Sequence, residues 1–176
     1  MAMGRLQFGR LCLLTVACVF LGCGGSGDAA GGKAAAPKTA NAPIKVTCTT
    51  GMVGDLVASI GGERVDVTTL MGPGVDPHLY QATAGDIASL QGADMIFYSG
   101  LLLEGKMAEL FVKMARRNPF VIAVTEDTDR ERLLEPPALK GHWDPHVWFD
   151  VDLWSEGVEV VRKGLAEYAP SHAPEF

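Results

Sequence analysis

The sequence predicts an α/β fold, a single lobe on a mostly parallel sheet of four to five strands flanked by helices. Three observations carry that expectation. From Ile44 onward, short apolar and β-branched runs alternate with segments of helical spacing. Ala93–Tyr98 is almost wholly apolar, as a strand covered on both faces must be. Roughly 130 residues follow the Gly- and Ala-rich stretch, enough for one α/β core.

Ile44–Thr49 reads as the first strand. Met52, Leu56, Val57 and Ile60 then share one face of a helix that Gly61-Gly62 stops. Arg64–Leu70, with Val65, Val67 and Thr69 alternating, is a second strand, and a loop through Met71-Gly72-Pro73-Gly74 follows it. Thr83-Ala84-Gly85-Asp86 forms a capping box with Asp in place of Glu and opens a helix through Leu90. Ala93–Tyr98 is the third strand. Leu103–Arg117 is an amphipathic helix with Met107, Leu110, Phe111 and Met114 inward, and Phe120–Val124 is a fourth strand. The charged, proline-bearing stretch from Thr125 to Trp143 reads as an irregular loop. Val147-Trp148-Phe149 is expected as a short fifth strand, with Asp150 capping a helix from about Asp152 to Tyr168.

The amino terminus reads as an export signal at residues 1–22. Arg5 and Arg10 precede an apolar run from Leu11 to Leu21, the length of a signal core and too short to span a bilayer comfortably. Phe20-Leu21-Gly22-Cys23 resembles a bacterial lipobox, which would make Cys23 the lipidated mature terminus, although Phe20 departs from the usual Leu or Val. A plain secretory signal is the alternative, and either places the protein outside the cytoplasm, periplasmic or at the cell surface. Residues 23–43 are Gly-, Ala-, Ser- and Pro-rich and read as a flexible tether, leaving 44–176 as the folded lobe.

A net charge of −6 gives no basic patch and argues against a nucleic-acid partner. Cys12 and Cys18 fall in the signal, so Cys48 alone remains in the lobe and reads as a buried thiol. The chemistry sits in a repeated tripeptide, Asp76-Pro77-His78 and Asp144-Pro145-His146. Proline stiffens each copy, and a carboxylate stands two residues before each imidazole, where it can orient the ring or join a coordination shell. The two histidines lie 68 residues apart and meet only if the fold joins two loops. His78 follows the second strand and His146 precedes the fifth, so both can reach the carboxyl edge of the sheet, where such folds bind ligands.

Two imidazoles do not complete a metal shell. Asp76, Asp144, Glu126, Asp127 and His142 are the candidates to extend it, unless further ligands lie outside the chain. His142 is four residues before His146, but Pro145 opposes a helix there, and a surface-loop histidine is the plainer reading. His172, between two prolines, reads as solvated. Trp143, Trp148 and Trp154 gather around the second tripeptide, as core packing beside a loop or as a stacking platform. No phosphate loop, nucleophile elbow or catalytic triad is present in the sequence.

Thr49-Thr50-Gly51-Met52-Val53-Gly54-Asp55-Leu56, Met71-Gly72-Pro73-Gly74-Val75-Asp76-Pro77-His78 and Asp144-Pro145-His146-Val147-Trp148-Phe149-Asp150 together resemble the zinc/manganese substrate-binding lipoproteins of bacterial ABC importers, the treponemal type in particular. The resemblance spans Ile44 to Phe176. It implies one half of a two-lobe periplasmic-binding-protein-like fold, with His78 and His146 as the two ligands of the amino-terminal lobe. It also implies Zn2+ or Mn2+ as transported cargo, an ABC permease as partner and a membrane held through a lipid anchor. The family's other two ligands, a His or Glu and an Asp, belong to a second lobe that this reading finds absent, so the pair is expected to bind weakly and with little selectivity. His142 is the only histidine of the long loop, where zinc members often carry several, and both metals stay open.

Two further functions remain at this stage. A metal-dependent hydrolase would use Asp144 or Glu126 as general base. An adhesin or other interaction module would keep the lobe without handling metal.

Overall fold

The computed structural model describes residues 42–176; the expected signal segment at 1–22, Cys23 and most of the expected tether lie outside them. Four strands form one sheet in the order β2-β1-β3-β4: β1 Ile44–Cys48, β2 Val65–Thr69, β3 Met95–Tyr98 and β4 Val121–Ala123. Every pairing is parallel, with Val46 beside both Val67 and Met95, and Phe97 beside Ile122. The chain therefore leaves β1 toward one neighbour and returns on its other side, which creates a switch point between β1 and β3.

Helix α1, Gly51–Gly61, starts where the Thr50 hydroxyl accepts the Val53 N–H and ends at Gly62, whose φ of 51° a side chain would resist. Helix α2, Ala84–Gly92, opens on the capping box of Thr83 and Asp86. Helix α3 spans Ala108–Ala115 and α4 spans Val151–Tyr168, the latter capped by Asp150, which accepts from the N–H groups of Asp152 and Leu153.

Strand β3 explains the layering. Met95 and Phe97 join Val53 and Val57 of α1 and Val161 and Leu165 of α4 on one face. Ile96 points the other way, into a cluster with Leu90 of α2 and Phe111 of α3. The strand is buried on both sides, so its apolar run carries no alternation. Each fully buried side chain of this size contributes about 1.5–3 kcal/mol. Cys48, at the end of β1, is 0% exposed, and burial pushes its thiol up to about 12.

Three expectations need correction. Val147–Phe149 is a 3-10 turn and not a fifth strand, because Phe149 and Asp150 bond back to His146 and Val147 instead of to a neighbouring strand. The helix expected from Leu103 begins only at Ala108, after a 3-10 turn at Gly105–Met107. Gly100, Leu101 and Leu102 take φ of 93°, 49° and 64°, a conformation that delays entry into the helix. His172 is not freely solvated: its side chain is 20% exposed and its Nδ1 lies 2.9 Å from Glu175, which also binds Arg64. The Thr125–Trp143 stretch is irregular, as expected, and Leu133, Val147 and Leu153 form a small cluster beneath it.

Candidate metal centre

Both Asp-Pro-His copies fold into the same local turn. Asp76 Oδ1 accepts the His78 backbone N–H at 2.9 Å, and Asp144 Oδ1 accepts that of His146 at 3.0 Å. Proline between them offers no N–H of its own, so the carboxylate closes the turn over it. The carboxyl edge of the sheet then carries each turn outward. Beyond β2, the N–H groups of Leu70 and Met71 bond to the carbonyls of Cys48 and Thr49, and the chain continues into the first turn. Past His78, Tyr80 donates its hydroxyl to Asp86 in the α2 cap, a bond that pushes the phenol up to about 12. The second turn is held by the Asp144 N–H on the Leu134 carbonyl, by buried Val147 and by the Asp150 cap of α4.

These anchors bring the two rings together. His78 Nε2 and His146 Nε2 stand 3.3 Å apart, with ring centroids at 5.2 Å and an interplanar angle of 61°. Two Zn–N bonds of about 2.05 Å at a tetrahedral angle would set their nitrogens about 3.3 Å apart. The spacing of the two rings therefore matches the bite that a tetrahedral ion requires.

The second copy makes a bond that the first does not. Asp144 Oδ1 also lies 2.5 Å from His146 Nδ1, which makes Nδ1 the protonated nitrogen and leaves the Nε2 lone pair free. The His146 backbone N–H first, and its ring second, hold the Asp144 carboxyl below the ordinary carboxylate range. Trp148 packs edge-on against His146 at 5.2 Å between centroids, whereas Trp143 and Trp154 pack on the loop cluster. His78 is exposed and the His146 side chain is 38% exposed, so the pair is open to solvent. Next to it in the chain stand exposed apolar side chains: Leu79 at 68%, Phe149 at 82% and Val151 at 78%.

The other candidates do not converge on this pair. Among the described residues, no three His, Cys, Asp or Glu side chains are grouped to hold a metal ion. Asp76 and Asp144 are turned back onto their own turns, His142 is exposed in its loop, and Asp127 lies beside Lys163. Glu126 lines a separate cavity with Tyr98 and Trp143, where burial first and Asp127 second raise its carboxyl above the ordinary range. Sequence reasoning passed over Glu104, which is 2% exposed beneath the carboxyl edge. Its one signal is a carboxylate placed directly after three leucines.

A protein-family model described as "ZnuA: Zinc-uptake complex component A periplasmic" matches residues 46–176. The chain belongs to this family. It is a family of solute-binding proteins of ABC importers and not of enzymes, so the hydrolase reading falls away. The chain is 42% identical to the manganese-binding lipoprotein MntA of Bacillus subtilis, over 82% of its own length and 47% of that relative. It is 47% identical to the zinc-binding protein TroA of Treponema pallidum, over 76% of its own length and 42% of that protein. The solved structure of periplasmic TroA superposes with a TM-score of 0.72 at 44% identity, covering 76% of this chain and 47% of that one. A metal ABC transporter substrate-binding lipoprotein of Streptococcus sanguinis, SsaB, is 28% identical over 97% of this chain. The chain thus spans about half the length of the relatives it matches, which is one α/β lobe.

Proposed function

We propose that this chain is the amino-terminal, metal-capturing lobe of an extracytoplasmic substrate-binding protein. It takes up a divalent transition metal, zinc or manganese, through Nε2 of His78 and His146 for delivery to an ABC permease. The observation that carries this reading is the 3.3 Å separation of the two Nε2 atoms, set by two turns of the same kind. Asp144 supports it by fixing the His146 tautomer, and Asp76 by fixing the other turn. Relatives named for zinc and for manganese support both metals as cargo.

Two imidazoles fill half of a tetrahedral shell, and we assign the rest to a second lobe, as the family resemblance implies. The exposed Leu79, Phe149 and Val151 beside the pair suit a surface that such a lobe covers. Cys23 would carry the lipid anchor and residues 23–43 the tether, which holds the lobe near its permease and raises its effective concentration there.

Calorimetric titration of the chain with Zn2+ and with Mn2+, beside the His78→Ala/His146→Ala variant, tests the assignment. Micromolar or weaker binding that the double variant abolishes is the expected result. Binding that survives the double substitution would refute the ligand assignment. A folded wild-type chain that binds neither metal would favour the interaction-module reading.

A further inference from the structure

Glu104 is the buried acidic residue that the metal pair leaves unexplained. Its Oε1 accepts the Thr49 hydroxyl at 2.6 Å and the Ser99 N–H at 2.8 Å, and its Oε2 accepts the Gly100 N–H at 3.3 Å. No cation faces it among the ion pairs of the described residues. The three donors come from the carboxyl ends of two different strands. Thr49 follows β1, while Ser99 and Gly100 follow β3.

Each of those ends is the root of one histidine loop. The Thr49 carbonyl accepts the Met71 N–H at 2.9 Å, where the chain leaves β2 for Asp76-Pro77-His78. The Ser99 carbonyl accepts the Thr125 hydroxyl at 2.8 Å, where the chain leaves β4 for the loop ending in Asp144-Pro145-His146. One carboxyl group therefore ties together the starting points of two loops whose tips must meet within 3.3 Å.

The segment between Ser99 and Glu104 is also strained. Gly100, Leu101 and Leu102 all have left-handed φ, and Leu102 is 54% exposed, so burial of its side chain does not account for its conformation. Strain of this kind persists only where the surroundings over-determine it, and it gathers at functional sites. The Glu104 carboxyl holds the start of this segment at the Ser99 and Gly100 N–H groups, and the Leu103 N–H closes it on the Gly100 carbonyl.

We propose that Glu104 is a positioning residue of the metal site: it locks the roots of both loops and so sets the spacing of His78 and His146. This rests on the assignment of those two histidines as ligands. Glu104→Gln keeps the size of the side chain but sets an amide N–H against at least one of the three donors. Thr49→Val removes one donor and leaves Glu104 in place.

The test has two arms. In the metal-free chain, amide hydrogen exchange is expected to quicken in segments 71–80 and 142–150 of both variants, while β1, β3 and α4 keep their protection. In titrations with Co2+ and Zn2+, both variants are expected to bind roughly tenfold more weakly, with an altered cobalt visible spectrum. Wild-type exchange and wild-type affinity in the two variants would overturn the proposal. If Glu104→Gln does not fold, Thr49→Val decides alone. If the wild-type chain binds metal independently of His78 and His146, the ligand assignment fails, and the exchange arm still decides whether Glu104 positions the loops.

Discussion

The two Asp-Pro-His copies are identical in sequence and unequal in structure, and that inequality can be measured. Asp144 Oδ1 accepts both the backbone N–H and the ring Nδ1–H of His146, whereas Asp76 Oδ1 accepts only the backbone N–H of His78. An Asn at either position can still accept the backbone N–H through its amide oxygen, so both turns are retained. At position 144, however, the charged partner of the imidazole is lost. Outer partners of ligating histidines are worth about 10–100-fold in metal affinity, or about 1.4–2.7 kcal/mol. At position 76, only one backbone hydrogen bond changes from a charged to a neutral acceptor, about 0.5 kcal/mol or roughly twofold. Competition titration against a zinc chelator is the assay, with melting curves to confirm that both variants fold. Asp144→Asn is expected to lose at least five times more affinity than Asp76→Asn. Equal losses, or a larger loss at Asp76, would refute the claim that the charged contact of Asp144 with the His146 ring strengthens His146 as a ligand.

Two other perturbations test the frame around the site. Gly100 has a φ of 93°, and a Cβ there would meet Thr125 Oγ1 at 2.4 Å and the Ala123 Cβ at 3.0 Å, so Gly100→Ala should destabilise the fold by roughly 2–4 kcal/mol in urea denaturation. Wild-type stability in that variant would show that the 99–104 segment is not held against β4 as described. Burial raises Cys48 to about 12, above its value in an unfolded chain. Between the two values the folded state keeps a proton that the unfolded state has released, so this contribution is fully present below the unfolded value and lost as pH rises toward about 12. Cys48→Ser is the control, and the alkaline loss of stability should be shallower in it. Alkylation of Cys48 at pH 8 should need unfolding; rapid labelling of the native chain would contradict its burial.

The sequence by itself determined the four strands, the capped helices and the two local turns. Helical spacing, the caps at Thr83 and Asp150 and the apolar run of β3 are local patterns, and each imposes its geometry within a few residues. The same holds for the repeated tripeptide, since an Asp two residues before a histidine N–H, across a proline, closes its turn wherever the loop lies. Cys48 was legible as buried because it sits inside an apolar strand.

Only the tertiary structure decided what those turns do. Strand order β2-β1-β3-β4 and the register of β1 between two partners bring loops 68 residues apart to one edge, and no local period encodes that approach. Val147–Phe149 has strand composition, but it forms a 3-10 turn in which Val147 is buried against Leu133 and Leu153, so tertiary packing overrode propensity. Glu104 was illegible for a related reason: its meaning lies in donors from Thr49 and from Ser99 and Gly100, which only the assembled sheet places around one carboxyl group.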